Sequence, residues 1–118
     1  MIVTKNKETV AKYLDGFRKS DHAQILSCMT EDIEWEMPGV FHLTGKDAID
    51  GEIENPGFVG SPAITLVRMV EEDDVVVAEG TVRVQRKDGG FLDALFCDVF
   101  TLKEGLIRRI RTYQVDLK

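Results

Sequence analysis

Asp98 is the residue with the most chemistry to offer. It lies in the run Ala94-Leu95-Phe96-Cys97-Asp98-Val99-Phe100, where every other residue is apolar. A strand that is apolar on both faces needs cover on both, which puts it at the centre of a domain. An ionised carboxylate there is expensive to desolvate. Asp98 is therefore neutral, tightly paired, or turned toward a wet cavity. The strand's period of two gives its face Leu92, Ala94, Phe96, Phe100 and Leu102. An acid set in so much apolar surface resembles one wall of a small-molecule pocket.

Other catalytic patterns are missing. His22 and His42 form no His-x-His or His-x-x-x-His pair, so no metal site is expected, and no cofactor either. There is no serine elbow and no glycine-rich phosphate loop at a strand–helix junction. Arg68 or Arg83 could pair with Asp98, but no spacing in the sequence singles either out. Cys28 and Cys97 are the only cysteines and sit in apolar contexts, which reads as reduced thiols.

The elements that would position Asp98 follow from periodicity. Val10, Tyr13, Leu14 and Phe17 recur at helical spacing and predict an amphipathic helix over Lys5 to Lys19. Ser20-Asp21 stops it and caps a short second helix, His22 to Met29, with the Asp21/Gln24 spacing of a capping box. Ile33 to Met37 alternates strictly, with Ile33, Trp35 and Met37 inward and Glu34 and Glu36 toward water. After Pro38-Gly39, Val40 to Thr44 is a second short strand carrying His42. A third helix runs from Gly45 to about Glu54. Asn55 to Pro62, which holds Phe58, reads as a loop over a pocket mouth.

From Ala63 onward the pattern is β. Four strands are expected over Ile64–Glu71, Val75–Lys87, Gly90–Lys103 and Leu106–Leu117, joined by turns that include Asp88-Gly89. The last three would each span near 40 Å if straight, at about 3.3 Å per residue. A domain of this length has an expected radius of gyration of only about 13 to 14 Å. The sheet must therefore bend, with Gly80 a plausible bend point. Three helices followed by a curved antiparallel sheet make one α+β domain spanning residues 1–118, with a conical cavity between the layers. Gln114 shares a face with Ile110 and Thr112 and is expected to point inward.

The totals set outer limits. The chain has 118 residues, 43% hydrophobic and 31% charged, and a formal charge of −6. One domain with a real core fits these values. The acidity argues against a nucleic-acid partner. The stretch from Met1 to Lys7 has no continuous apolar run, and no segment is long enough to cross a membrane, so a cytoplasmic protein is the default expectation.

Four segments carry a family resemblance. They are Val10 to Phe17 with Asp21-His22; Met29-Thr-Glu-Asp-Ile-Glu-Trp35; Thr44-Gly-Lys-Asp-Ala-Ile49; and Cys97 to Tyr113. Together with the element order, they make nearly the whole chain similar to the SnoaL-like group of the nuclear transport factor 2-like superfamily. Ketosteroid isomerases and small polyketide cyclases are relatives. The superfamily also holds transport factors and non-catalytic members, so fold does not select a function. The resemblance implies that Asp98 occupies the place of an isomerase's oxyanion-binding aspartic acid, which its apolar site holds protonated. It implies that Tyr13 lies near the second donor, and that His42 sits at the cavity rim within reach of acid–base work. The position of the isomerase base holds Met37, and Glu36 beside it has the wrong parity.

The candidate catalytic set is thus Asp98, Tyr13 and His42. The candidate pocket set is Phe17, Trp35, Met37, Phe58, Phe96, Phe100 and Gln114. Opposite Asp98's face lie Leu95, Cys97 and Val99, and Tyr113 and Val115 add to an apolar convex surface. A face-to-face homodimer is the economical cover for it, and the resembling families use that arrangement. The expected function is binding of a small hydrophobic molecule, non-catalytic or of unassigned chemistry. The alternative is acid–base isomerisation, cyclisation or dehydration of a small carbonyl compound.

Overall fold

A computed structural model describes residues 4–117. The reading of the N-terminus at Met1 to Val3 lies outside the described residues. Helix α1 spans Lys5–Lys19, α2 His22–Ser27 and α3 Lys46–Ile53. The strands are β1 Met29–Met37, β2 Phe41–Thr44, β3 Phe58–Glu72, β4 Val75–Arg86, β5 Phe91–Lys103 and β6 Leu106–Leu117. They form one sheet in the order β2-β1-β6-β5-β4-β3. Helix α1 lies against β3, β4 and β6 on the concave side, with α2 and α3 completing the helical layer. The radius of gyration is 13.7 Å. Among the described residues, no helix is long and apolar enough to cross a membrane.

Local chemistry fixes the helix ends. The Thr4 hydroxyl accepts from the Lys7 amide at 3.1 Å and caps α1. Ser20 ends that helix in the left-handed region, where its amide donates to the Phe17 carbonyl at 3.2 Å. Asp21 accepts from the Gln24 amide at 3.0 Å. The reciprocal arm of the capping box is not made, because the Gln24 side-chain amide reaches the Lys12 carbonyl and Asp15 instead. Arg18 donates to the Ile64 carbonyl at 2.9 Å, tying the end of α1 to β3.

Three expectations need correction. The pairing of β1 with β6 is parallel, so the sheet is mixed rather than wholly antiparallel. Helix α2 ends at Ser27, and Met29 already belongs to β1, opposite Ile107. The register shifts between Met29 and Glu34, so Thr30 to Asp32 leave the regular ladder and show no alternation. The expected mouth loop is also shorter, because β3 begins at Phe58. Pro62 is tolerated in that strand because β3 is a sheet edge and Pro62 sits in an irregularity.

Bulges do the bending. Between Val59 and Ala63, four steps along β3 face two along β4, from Gln85 to Arg83. On β6 the pairing shifts from Leu102–Ile107 to Thr101–Arg109, which leaves Arg108 as an extra residue. Gly80 sits where β3 and β5 close on β4. A Cβ there would overlap the Thr65 carbonyl oxygen and come within 2.8 Å of the Phe96 ring. Gly80→Ala should therefore cost about 3 kcal/mol in urea unfolding, the upper end of overpacking penalties. Gly51 on α3 has open space around it, so Gly51→Ala should gain about 0.5 kcal/mol or more. Equal effects from the two changes would contradict the close approach.

Candidate functional site

The concave side of the sheet and α1 enclose a cavity of about 180 Å³. Strand β5 supplies Phe96 and Asp98, β6 Thr112 and Gln114, β1 Trp35 and Met37, and α1 Tyr13, Leu14 and Phe17. Ile64 and Val82 add apolar wall from β3 and β4. The aromatic rings pack edge to face: Phe17 lies 5.1 Å from Tyr13 and 5.9 Å from Trp35, measured between centroids. Such contacts hold large side chains in single orientations and so keep the space open. The volume is below the 300 to 1,000 Å³ or so usual for ligand pockets.

Asp98 is 7% exposed, and its Oδ1 is buried with no hydrogen-bond partner among the described residues. Burial pushes its pKa from the ordinary 3.8 up to about 7, with the nearby Thr112 hydroxyl pulling weakly the other way. Thr112 stands opposite Asp98 in the β5–β6 register. Its oxygen accepts from the Trp35 indole N–H at 2.9 Å, which leaves the hydroxyl proton free to serve the carboxyl. Tyr13 is 2% exposed, and its phenol pKa is raised well above the usual value. Desolvation is the main cause, followed by the negative charge of Asp98. Neither arginine considered from sequence reaches the acid: Arg68 pairs with Glu79 at 3.6 Å and Arg83 with Asp93 at 3.5 Å. Of the three states open to Asp98 from sequence, the tightly paired one is absent among the described residues.

The other sequence candidates divide. Tyr13, Phe17, Trp35, Met37, Phe96 and Gln114 line the cavity with Asp98. His42 does not. It projects from the outer face of β2, 56% exposed at the side chain, and meets Glu34 at 3.1 Å. The alternation Phe41-in, His42-out, Leu43-in accounts for this, and excludes His42 from proton transfer in the cavity. Phe100 is fully buried and stacks edge to face on Tyr13 at 5.4 Å, so it is core behind the cavity wall. Phe58 lines a neighbouring chamber rather than this one. Glu36 is held on the convex side by Arg111 at 2.7 Å, consistent with its parity. Thr112 is the cavity-lining residue opposite Asp98 that sequence reasoning did not single out, although its shared face with Gln114 was a signal. Among the described residues no group of His, Cys, Asp or Glu is arranged to hold a metal ion.

A mixed, strongly bent sheet with three helices over an apolar, acid-floored cavity defines the nuclear transport factor 2-like α+β fold. Within it the chain belongs to the SnoaL-like domain family, whose pattern matches residues 10–110. No functionally curated protein matches the chain. Several solved structures do. TerC, co-crystallised with polyporic acid, is 26% identical with a TM-score of 0.82, covering 92% of this chain and 90% of its own. An LEH-like epoxide hydrolase of M. tuberculosis is 19% identical with a TM-score of 0.82, covering 94% and 83%. An NTF2-like protein of Burkholderia pseudomallei is 18% identical with a TM-score of 0.84, covering 93% and 90%. The last two likenesses concern the fold alone.

The pKa of Asp98 fixes how stability varies with pH. A folded pKa above the unfolded one means that the ionised acid opposes folding. The penalty is absent below about 3.8, grows as pH rises, and is complete above about 7. Its full size is roughly 4 kcal/mol, at 1.36 kcal/mol per pH unit. Asp98→Asn removes the titration, so the variant should gain on the parent by a few kcal/mol between about pH 5 and pH 8 in urea unfolding. His22, whose pKa is raised by hydrogen bonds to Asp50 and Glu54, also favours lower pH, but equally in both proteins. A difference between variant and parent that does not change with pH would remove the neutral-acid assignment.

Proposed function

We propose that this protein binds a small, uncharged hydrophobic molecule bearing a carbonyl oxygen, and that the protonated Asp98 carboxyl donates to that oxygen. The observation carrying this reading is the unpartnered Oδ1 of an acid that lines an apolar cavity. A buried polar atom without a partner costs about 1 to 3 kcal/mol, which a suitable ligand relieves. Charge supports the same class, since no described lysine or arginine lines the cavity and an anion would meet no counter-charge. TerC, a structural relative co-crystallised with polyporic acid, supports a small organic ligand for a chain of this fold.

A second reading, acid–base catalysis on such a carbonyl compound, is favoured by one observation. With a pKa of about 7, Asp98 can both give and take a proton near neutrality. Against it, the only titratable groups among the described residues on the cavity wall are Asp98 and Tyr13, and the phenol is a poor proton donor because its pKa is raised. A second proton-transfer group would have to come from the substrate or a water. Binding is therefore the primary reading.

Cyclohexanone, titrated by NMR, tests both the class and the donor. Affinity should be flat below about pH 6 and fall about tenfold per pH unit well above 7, because only the protonated acid donates. Asp98→Asn should lose this dependence. Parent affinity that ignores pH would sink the donor role, and no binding at all would sink the ligand class.

The convex face bears on assembly. Leu95, Tyr113 and Val115 are exposed on it, at 45%, 47% and 61%. We infer a homodimer through this face, since Leu95 of β5 and Tyr113 and Val115 of β6 lie side by side as an exposed apolar strip that a second copy would cover. Sedimentation velocity should give a dimer at micromolar concentration. A monomer there would exclude it.

A further inference from the structure

Beyond Phe17 lies a second chamber of about 300 Å³, floored by Phe58, Val84 and Ile53 and rimmed by Ser20, Ser61 and Asn55. It touches the Asp98 cavity through two shared side chains, Phe17 and Pro62, which stand as the partition between them. We propose that the two chambers form one binding site for a two-part ligand. A ring carrying the carbonyl sits in the inner chamber, and a second apolar ring sits against Phe58 and Val84 in the outer one. This rests on the reading of the inner cavity given above.

Size is the first support. A cavity of about 150 Å³ holds a single benzene-sized ring, so about 180 Å³ admits one ring and little more. Ligand pockets usually begin near 300 Å³, a size reached only when the outer chamber is included. Construction is the second. The outer chamber exists because the two extra residues of β3 between Val59 and Ala63 swing away from β4. Ser61 in that bulge is hydrogen-bonded to Ser20 at the end of α1, 2.7 Å between hydroxyls, which ties the bulge to the helix at the chamber rim.

Polarity is the third support. Neither chamber is lined by a described lysine or arginine, which argues against a carboxylate or phosphate on either part of the ligand. The rim over the apolar floor holds hydroxyl and amide groups and the Glu54 carboxylate, which bonds His22 at 2.6 Å; it suits a ring with at most a hydroxyl at its far end and repels an anion there. Phe17 is half-buried and packs edge to face on Tyr13 and Trp35, and a ligand spanning both chambers must turn its ring out of those contacts.

The test compares cyclohexanone with 4-phenylcyclohexanone at about pH 6, below the pKa of Asp98. The two-ring ketone should bind at least tenfold more tightly, and should alone shift the methyl resonances of Val84 and Ile53. Val84→Trp fills the outer chamber, and should shrink that advantage to less than threefold. Phe58→Ala, at a partly exposed strand end, should lower it in the same direction if the tryptophan variant does not fold. Cyclohexanone binding with no gain from the phenyl ring would overturn the two-chamber site while leaving the inner one intact. If neither ketone binds, the inner-site reading fails and this inference fails with it.

Discussion

One carboxyl group taken out of water shapes this molecule. Asp98 sits mid-sheet on β5, a strand with apolar residues on both faces, and its desolvation opposes the ionised form by several kcal/mol. Folding tolerates it because the acid keeps its proton below a pH of about 7 and because Thr112 stands opposite with a hydroxyl held by Trp35. That arrangement needs the sheet curved so that β1, β5 and β6 bring their inner faces together. It also needs α1 to cover the concavity without filling it. The edge-to-face contacts of Tyr13, Phe17 and Trp35 meet both needs, since they close the top of the cavity while keeping apart the rings that would otherwise collapse into it.

Chemistry at the site is restricted by what surrounds the acid. A single neutral acid in an apolar cavity orients a carbonyl group well and polarises it modestly. Moving a proton from carbon requires a base, and the inner faces of β1 and β2 offer none: Met37 lines the cavity where a base would be useful, and His42 and Glu36 point outward. The SnoaL-like family thus supplies a shape within which this chain keeps a donor without a matching base. On the proposed reading, such a site would select its ligand by size and by a single hydrogen bond.

Much of this was legible in the sequence, for physical reasons. The period of two along β5 and β1 gave the inward sets around Asp98 and Trp35, and the helical period gave Tyr13 and Phe17 one face of α1. What local patterns did not carry was pairing between distant strands, so the parallel β1–β6 contact was not legible. That the sheet bends was expected from strand length, but the positions of the bulges escaped for the same reason. Counting back from the Glu104-Gly105 turn without a bulge would set Arg111 opposite Asp98; the extra Arg108 moves Thr112 there instead. His42 is a different case. Its outward direction was readable from Phe41 and Leu43, but the family resemblance placed it at the rim. Phe100 shares Asp98's face, and only the position of Tyr13 over it shows that it is core rather than lining.

The protonation state of Asp98 in the folded protein is the central claim, and the chemical shift of its carboxyl carbon, followed by NMR against pH, reads it directly. Burial without a charged partner predicts a midpoint near 7. A midpoint at or below about 3.9, the value of an unperturbed aspartate, would mean that the acid is ionised in place. The donor in the cavity, and the ligand class built on it, would then be wrong.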